Sequence, residues 1–167
     1  NRSLAWGLLR LVGKGQVQNI AELASLNSGP QILDTDCFSP MFKFLKKAGF
    51  YTSSMYAPER PLGEPIKPKI LNVDLQAMTF PDHSYDVILT SDVMEHVRRD
   101  RAAHSEIYRC LKPGGYYVFT APFVPGWETT QIRVDSSGDE DVYLMEKQYH
   151  GDPLNSNGVL VYRIYGR

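Results

Sequence analysis

The stretch of residues 84–123 restricts the possible folds of this chain more than any other part of the sequence. Residues 85–90 are a short apolar run rich in β-forming side chains, which predicts a buried strand. Residues 100–111 carry small or apolar side chains at helical spacing, and the proline and glycines of residues 112–115 end this predicted helix. Residues 116–121 predict a second strand. A strand, a crossover helix and a strand make a βαβ unit, which requires two parallel neighbouring strands.

Earlier residues predict the rest of a mostly parallel sheet. Strands are expected at residues 31–34, 50–56 and 69–75, and a helix at residues 41–48 connects the first two. Residues 57–69 contain four prolines, which exclude a regular helix and predict a proline-stiffened loop.

The two ends of the chain have a different character from this core. An amphipathic helix is expected at the start, with Leu4 and Leu8 on its apolar face, followed by a short helix within residues 16–28. Antiparallel strands with one solvated face are expected at residues 131–134, 142–145 and 159–165. We therefore expect one domain, divided into a helical lead-in (residues 1–30), a core (31–122) and an antiparallel extension (123–167).

Composition excludes several classes of function. The 167 residues carry a net charge of −1, so no electrostatic footprint for nucleic acid or an anionic membrane is expected. No apolar run approaches the ~20 residues that cross a bilayer, and Arg10 and Lys14 argue against a signal peptide. Cys37 and Cys110 show no metal-ligand spacing. These features predict a cytoplasmic protein with no metal site and no membrane partner.

Four predicted strands end in polar or mixed segments that we expect to converge. In an open α/β sheet, ligands bind outside the carboxyl ends of the strands. Residues 34–37, 54–56, 74–75 and 90–92 occupy these ends, although they are far apart in the sequence. The fold therefore predicts one binding crevice there.

The motifs in this region carry a family resemblance. The series is F-P-D-x-S-Y-D-V-I at residues 80–88, D-V-M-E-H-V at 92–97 and E-I-Y-R-C-L-K-P-G-G at 106–115. It resembles the class I S-adenosylmethionine-dependent methyltransferases, in their type 11 branch, over residues 31–122. The resemblance implies an α/β fold: a Rossmann-like, mostly parallel sheet with helices on both faces, followed here by antiparallel strands. It also implies S-adenosylmethionine as the cofactor.

The resemblance assigns cofactor contacts to the first two strand ends. At the first end it assigns Asp34, Thr35, Asp36 and Cys37, although the family's acidic-x-G-x-G motif is replaced by D-C-F-S-P at residues 36–40. A strand-end aspartate that caps the next turn is the alternative interpretation of Asp34.

At the second end, the position of the acid that binds the ribose hydroxyls is occupied by Met55. A thioether cannot replace a carboxylate acceptor for two hydroxyl donors. The loss of a charged hydrogen bond, worth roughly 1.5–3 kcal/mol, predicts about tenfold or more weaker cofactor binding, unless Glu59 or an amide of the proline-rich loop substitutes for the acid.

The third and fourth strand ends match the family more closely. By resemblance, the Asp74 carboxylate accepts from the adenine amino group and the Leu75 amide meets a ring nitrogen, unless Asp74 only caps a turn. Thr90 and Ser91 would meet the methionine portion of the cofactor through their backbone.

Acceptor-side residues are the least defined part of the resemblance. His96 is the candidate general base, since its side chain titrates near neutrality, but a histidine that only holds the loop is the alternative. Candidate acceptor contacts are Asp92, Glu95, His150 and Asp152. Glu95 could instead be the partner of His96 or a solvated charge, and residues 149–153 could be a polar turn between strands.

Two functions from different classes follow. The first is S-adenosylmethionine-dependent methyl transfer to a small-molecule or glycan-like acceptor. The second is a catalytically inactive methyltransferase-like domain that serves as a binding or scaffold module, which the D-C-F-S segment and Met55 favour. A nicotinamide-dependent oxidoreductase is disfavoured because no G-x-G-x-x-G follows the first strand.

Overall fold

The computed structural model describes residues 2–13, 15, 17–151 and 155–166. The chain divides into two compact units. Unit 1 comprises Asn1–Ser91 and Ala102–Phe119, and unit 2 comprises Asp92–Arg101 and Thr120–Arg167. The expected partition into a lead-in, a core and an extension of one domain stays a prediction.

A six-stranded sheet forms the centre of unit 1, in the order β3-β4-β2-β1-β5-β6. Its strands are β1 (Ile32–Asp34), β2 (Tyr51–Met55), β3 (Pro65–Lys67), β4 (Ile70–Asn72), β5 (Tyr85–Ser91) and β6 (Leu111–Thr120). β1 pairs in parallel with both β2 and β5, β2 pairs in parallel with β4, and β3 is antiparallel to β4. The predicted mostly parallel α/β sheet is therefore confirmed.

The helices begin where the sequence supplies a cap. They are α1 (Arg2–Val12), α2 (Ile20–Ala24), α3 (Pro40–Leu45), α4 (Asp100–Cys110) and a short 3-10 helix (Met94–His96). The Asn19 side chain accepts from the Glu22 amide before α2, and Ser39 Oγ accepts from the Met41 amide before α3. Each cap satisfies an amide that has no partner within its own helix. None of the described helices is both long and apolar enough to cross a bilayer.

Helices cover both faces of the sheet. Leu8 of α1, Leu23 of α2 and Leu45 of α3 belong to one buried cluster with Ile32 and Leu89 of the strands. Successive side chains of a strand point to opposite faces, so Thr90 points away from this cluster. The Thr90 hydroxyl contacts the Tyr117 hydroxyl at 2.8 Å, and the Tyr117 ring packs edge-on against His104 of α4. α4 therefore lies on the face opposite α1–α3.

Buried Asn72 fastens the proline-rich loop between β2 and β4. Its side-chain oxygen accepts from the Ala57 amide, and its amide nitrogen donates to the carbonyls of Ala57, Arg60 and Pro61. The predicted absence of a helix here is confirmed. The loop also forms β3, a three-residue strand that the sequence analysis missed.

In unit 1, two strand boundaries differ from the prediction by three residues or more. β4 ends at Asn72 rather than residue 75, so Asp74 and Leu75 lie beyond the strand. β6 begins at Leu111, directly after α4, so the predicted turn at residues 112–115 lies inside an extended segment. Gly114 there has a φ of +78°, a conformation that glycine adopts without the strain of a side chain.

Unit 2 consists mainly of short antiparallel pairs. These are β7 (Gln131–Ile132) with β12 (Arg163–Ile164), β8 (Val134–Asp135) with β9 (Val142–Tyr143), and β10 (Tyr149–His150) with β11 (Val159–Leu160). The predicted antiparallel pairing of the C-terminal strands is confirmed. β10 lies where a polar turn was the alternative prediction.

Candidate functional site

The parallel register brings the predicted cofactor residues of unit 1 to one edge of the sheet. Asp34 lies opposite Ser53 of β2 and Leu89 of β5. Met55 lies opposite Asn72 of β4. Because the strands run in the same direction, the residues that follow each strand leave the sheet at the same edge. The edge is thus lined by Asp34, Thr35, Asp36, Cys37, Met55, Asp74, Leu75, Thr90 and Ser91.

Asp34 is held inside the protein by two hydrogen bonds. The residue is 2% exposed. Its Oδ2 accepts from the Tyr51 hydroxyl at 2.7 Å, and its Oδ1 accepts from the Asp36 amide at 3.0 Å. Burial raises the pKa of Asp34 from 3.8 to about 6, against the opposing effect of the Tyr51 hydrogen bond. In this structure the carboxylate stabilises the turn after β1.

Residues 36–39, which connect β1 to α3, form a turn that is held by the side chain and the carbonyl of Asp36. Asp36 Oδ1 accepts from the Phe38 amide at 2.9 Å, and the Asp36 carbonyl accepts from the Ser39 amide at 3.1 Å. The Cys37 thiol is buried, and burial raises its pKa, with a further contribution from the Asp36 charge. Phe38 is 53% exposed, so its ring is not buried among the strand ends.

The second and third strand ends carry a half-buried thioether and a half-buried carboxylate. Met55 is the last residue of β2, and Tyr56 beside it is 52% exposed. Asp74 Oδ1 accepts from the backbone amide and the side-chain amide of Gln76, at 2.8 and 3.1 Å. Burial and the Asp74 charge together raise the pKa of the Tyr56 hydroxyl, so the two side chains interact electrostatically. Asp74 therefore shapes a turn in this structure, next to an exposed aromatic ring.

The fourth strand end consists of a buried threonine and a half-buried serine. Thr90 is fully buried with its hydroxyl on Tyr117, and Ser91 ends β5. These two residues present fixed backbone at the sheet edge. The general-base and acceptor candidates that follow belong to unit 2.

Unit 2 begins with a backbone conformation that is uncommon for residues other than glycine. Asp92 has a φ of +51°, and its amide donates to the Thr120 carbonyl at 2.9 Å. Aspartate tolerates this left-handed region better than most residues. The reversal leads directly into the 3-10 helix that carries Glu95 and His96.

Three predicted acceptor-side residues form a cluster in unit 2. His96 Nε2 lies 3.2 Å from His150 Nδ1 and 3.7 Å from Glu95 Oε1. His150 Nδ1 lies 3.9 Å from the same Glu95 oxygen. The two imidazole rings pack edge to face with centroids 4.9 Å apart. Burial raises the pKa of Glu95, which is only 1% exposed. Asp92 is not part of this group, and Asp152 lies outside the described residues.

Arg163 supports this cluster and was missed by the sequence analysis. It is 4% exposed, and its guanidinium donates to the carbonyls of Met94 and Val97 at 2.9 and 2.6 Å and of Arg98 at 3.0 Å. It therefore fixes the turn that carries Glu95 and His96. The sequence offers only a weak signal for this role, a lone arginine in a predicted strand.

A cavity of about 500 Å³ lies in unit 1. It is lined by residues 82–83, 108–109 and 111–115, at the start of β5 and β6. These residues belong to unit 1, at the sheet edge opposite Thr90 and Ser91. The cavity shares no residue with the predicted cofactor set.

Comparison with known proteins agrees with this architecture. The sequence family described as "Methyltransferase domain" matches residues 11–119. Phosphoethanolamine N-methyltransferase 1 of Zea mays is 26% identical over 119 residues, 65% of this chain and 24% of that protein. Sterol 24-C-methyltransferase ERG6A of Gibberella zeae is 27% identical over 110 residues, 59% of this chain and 29% of that protein. The chain thus spans 24–29% of the length of these relatives.

A solved structure shows the same fold. The S-adenosylmethionine dependent methyltransferase from Mesorhizobium loti superposes with a TM-score of 0.51 at 16% identity, covering 86% of this chain and 72% of that one. The family match extends over more than half of the sequence and includes the strand ends described above. The chain therefore belongs to the class I S-adenosylmethionine-dependent methyltransferase family.

Proposed function

We propose that this chain transfers a methyl group from S-adenosylmethionine to a small-molecule or glycan-like acceptor. The observation that carries the proposal is the alignment of four parallel strand ends at one edge, in a chain of this family. The names of two relatives, which refer to phosphoethanolamine and a sterol, support a small acceptor.

Each strand end has a proposed contribution to cofactor binding. The backbone of residues 35–37, Thr90 and Ser91 would hold the methionine portion, with Asp34 positioning the turn. Asp74 and the Leu75 amide would bind the adenine edge, for which an acceptor and a donor are the matching pair. S-adenosylmethionine, when bound, supplies a methyl group activated by the sulfonium.

The residues at this sheet edge are compatible with S-adenosylmethionine, except for Met55 at the proposed ribose position. Phe38 is 53% exposed, so its ring is not buried in the core beside β1. The Asp74 carboxylate is half-buried and anchored through one oxygen. Met55, in contrast, cannot accept from ribose hydroxyls, and we expect weaker binding than an acidic residue would give.

Acceptor contacts are proposed for Asp92, Glu95, His150 and Asp152. Methyl transfer depends mainly on aligning the acceptor atom with the methyl group and excluding water. A general base is therefore not required by the reaction. The proposed role of His96 as a base needs a free lone pair on Nε2.

A second candidate function is a methyltransferase-like domain that binds without catalysis. It is favoured by Asp34, whose two oxygens already bond Tyr51 and the Asp36 amide, and by the Met55 thioether. Such a domain would keep the fold while its cofactor affinity is low.

Calorimetric titration with S-adenosylmethionine and S-adenosylhomocysteine separates the two functions. The first predicts one site, and Asp74→Asn should weaken it about tenfold, since an amide nitrogen replaces an oxygen that accepts from adenine. Asp139→Asn is the matched control because this carboxylate is fully exposed in unit 2. An absence of heat at millimolar ligand would leave only the non-catalytic function. A bound cofactor then justifies methyl-transfer assays with phosphoethanolamine, sterols and simple sugars.

A further inference from the structure

We propose that Glu95, His96 and His150 bind a divalent transition-metal ion through Glu95 Oε1, His96 Nε2 and His150 Nδ1. All three donor atoms lie within 4.8 Å of one another. The sequence predicted no metal site because Cys37 and Cys110 lack metal-ligand spacing, but the proposed ligands include no cysteine.

The separations of the donor atoms match those of ligands that share one ion. Zn²⁺ binds imidazole nitrogen and carboxylate oxygen at about 2.0–2.2 Å, so two ligands of a tetrahedral site lie about 3.3 Å apart. The observed separations are 3.2, 3.7 and 3.9 Å. Small side-chain movements would therefore bring all three atoms to bonding distance of one ion.

The contact of His96 with Leu160 turns the other ring nitrogen, Nε2, toward Glu95 and His150. His96 Nδ1 lies 2.8 Å from the Leu160 carbonyl, which can only accept, so Nδ1 carries the proton. Neutral His96 then has its lone pair on Nε2, which in the metal-free chain accepts from His150 Nδ1 at 3.2 Å. Binding of one ion by both atoms therefore requires the His150 proton to lie on its Nε2 instead. A backbone carbonyl that fixes the tautomer of a histidine is a frequent arrangement around metal ligands.

The buried carboxylate of Glu95 is the second feature that indicates a bound cation. Its side chain is 1% exposed, and neither carboxylate oxygen has a hydrogen-bond partner within the described part of the chain. A buried carboxylate without hydrogen bonds is costly, and coordination of a cation is one of the ways in which proteins compensate. The unpaired Oε1 faces the two imidazoles, as a ligand of a shared ion would.

Two histidines and one carboxylate form a donor set suited to Zn²⁺, Mn²⁺ or Fe²⁺. Three protein ligands leave at least one coordination position open for an oxygen ligand such as water. Arg163 holds the turn that carries Glu95 and His96 through three carbonyls, so the two ligands are fixed before the ion arrives. A metal on Nε2 would also exclude His96 from acting as a general base.

The test uses the full chain, stripped with a chelator and titrated with ZnCl₂ or MnCl₂ in a calorimeter. We expect one ion per chain, with affinity reduced at least about 100-fold in Glu95→Gln and in His150→Ala. His104→Ala is the control, because this exposed histidine lies on α4, and it should bind as the unmodified chain does. Equal affinity in all four proteins, or no binding, would overturn the proposal.

Two further measurements keep the result interpretable. Circular dichroism and thermal unfolding show whether each variant folds, and Glu95→Gln preserves the shape of the side chain if His150→Ala does not fold. X-ray absorption of the zinc-loaded chain should show two imidazole ligands, and a spectrum without imidazole would refute the site. Because no cofactor is added, a failure to bind S-adenosylmethionine would not affect this result.

Discussion

Tyr51 donates its hydroxyl to Asp34 Oδ2 across 2.7 Å and joins β2 to the end of β1 inside the protein. The other Asp34 oxygen holds the turn toward α3 by accepting from the Asp36 amide. The first strand end of the proposed cofactor site is therefore positioned by a buried phenol. Burial raises the pKa of Asp34 to about 6, and the Tyr51 hydrogen bond opposes this rise while it holds the carboxyl group in place.

Replacing Tyr51 with phenylalanine should raise the pKa of Asp34 further. The hydroxyl stabilises the charged carboxylate, and its loss leaves burial unopposed by that hydrogen bond. We also expect the free energy of unfolding to fall by about 1–3 kcal/mol at neutral pH. Carbon-13 NMR titration of the Asp34 carboxyl measures the pKa. Tyr108→Phe is the control, since Tyr108 is 83% exposed, and an unchanged Asp34 pKa in Tyr51→Phe would contradict this account.

Asp34 should also make stability depend on pH in a defined direction. Its pKa is about 6 in the folded chain against an ordinary value of 3.8, so between these values the folded state binds more protons than the unfolded state. The free energy of unfolding contributed by this group is therefore highest at low pH and falls as pH rises through about 6.

The change between pH 4 and pH 7 should be about 2 kcal/mol. Asp34→Asn removes the titrating group, and its urea-unfolding free energy should lack this component. The difference between the two proteins, measured at several pH values, isolates Asp34 from the other carboxylates. Parallel pH profiles for the two proteins would show that the carboxyl titrates normally.

Asn72→Ala should destabilise unit 1 by about 2–4 kcal/mol, because one buried side chain serves four backbone groups of the proline-rich loop. Denaturant unfolding measures the loss. Asn27→Ala, at an exposed position of unit 1, provides a comparison in which little change is expected. A loss below 0.5 kcal/mol, about the size of a surface substitution, would mean that the loop is held by its prolines instead.

Arg163→Lys should destabilise the turn of residues 94–98 although it keeps the charge. An ammonium cannot reproduce the planar fork that reaches the carbonyls of Met94, Val97 and Arg98. Hydrogen exchange of the amides in this turn should accelerate at least about tenfold, which corresponds to 1.4 kcal/mol. Arg101→Lys, at an exposed position of α4, is the comparison. Equal exchange in both variants would assign the turn's stability elsewhere.

Met55→Glu should strengthen cofactor binding if the second strand end faces the ribose. A carboxylate there would accept from ribose hydroxyls, and one charged hydrogen bond corresponds to roughly tenfold or more in affinity. Met55→Gln, with a similar shape and no charge, should improve binding less. Titration with S-adenosylhomocysteine provides both values, and a weaker complex in Met55→Glu would place the ribose elsewhere.

Apolar pattern was sufficient to predict the parallel strands, because β1 and β5 are short buried runs bounded by polar residues. It failed at β3 and β10, which are short strands without a buried apolar run, so no apolar pattern marks them in the sequence. Topology alone then placed the polar strand ends together. The contacts of Tyr51, Arg163 and Leu160 could not be predicted, since each depends on side-chain or backbone groups distant in the sequence.

β3 closes one side of the sheet in a way that affects association between chains. Pro65 has no amide hydrogen to donate, and exposed Lys67 places a charge on the same short strand. A flat, uncharged edge strand could form backbone hydrogen bonds with the edge strand of a second molecule and so start aggregation. The proline and the lysine of β3 disfavour such pairing, so this edge strand is expected to limit aggregation of the protein.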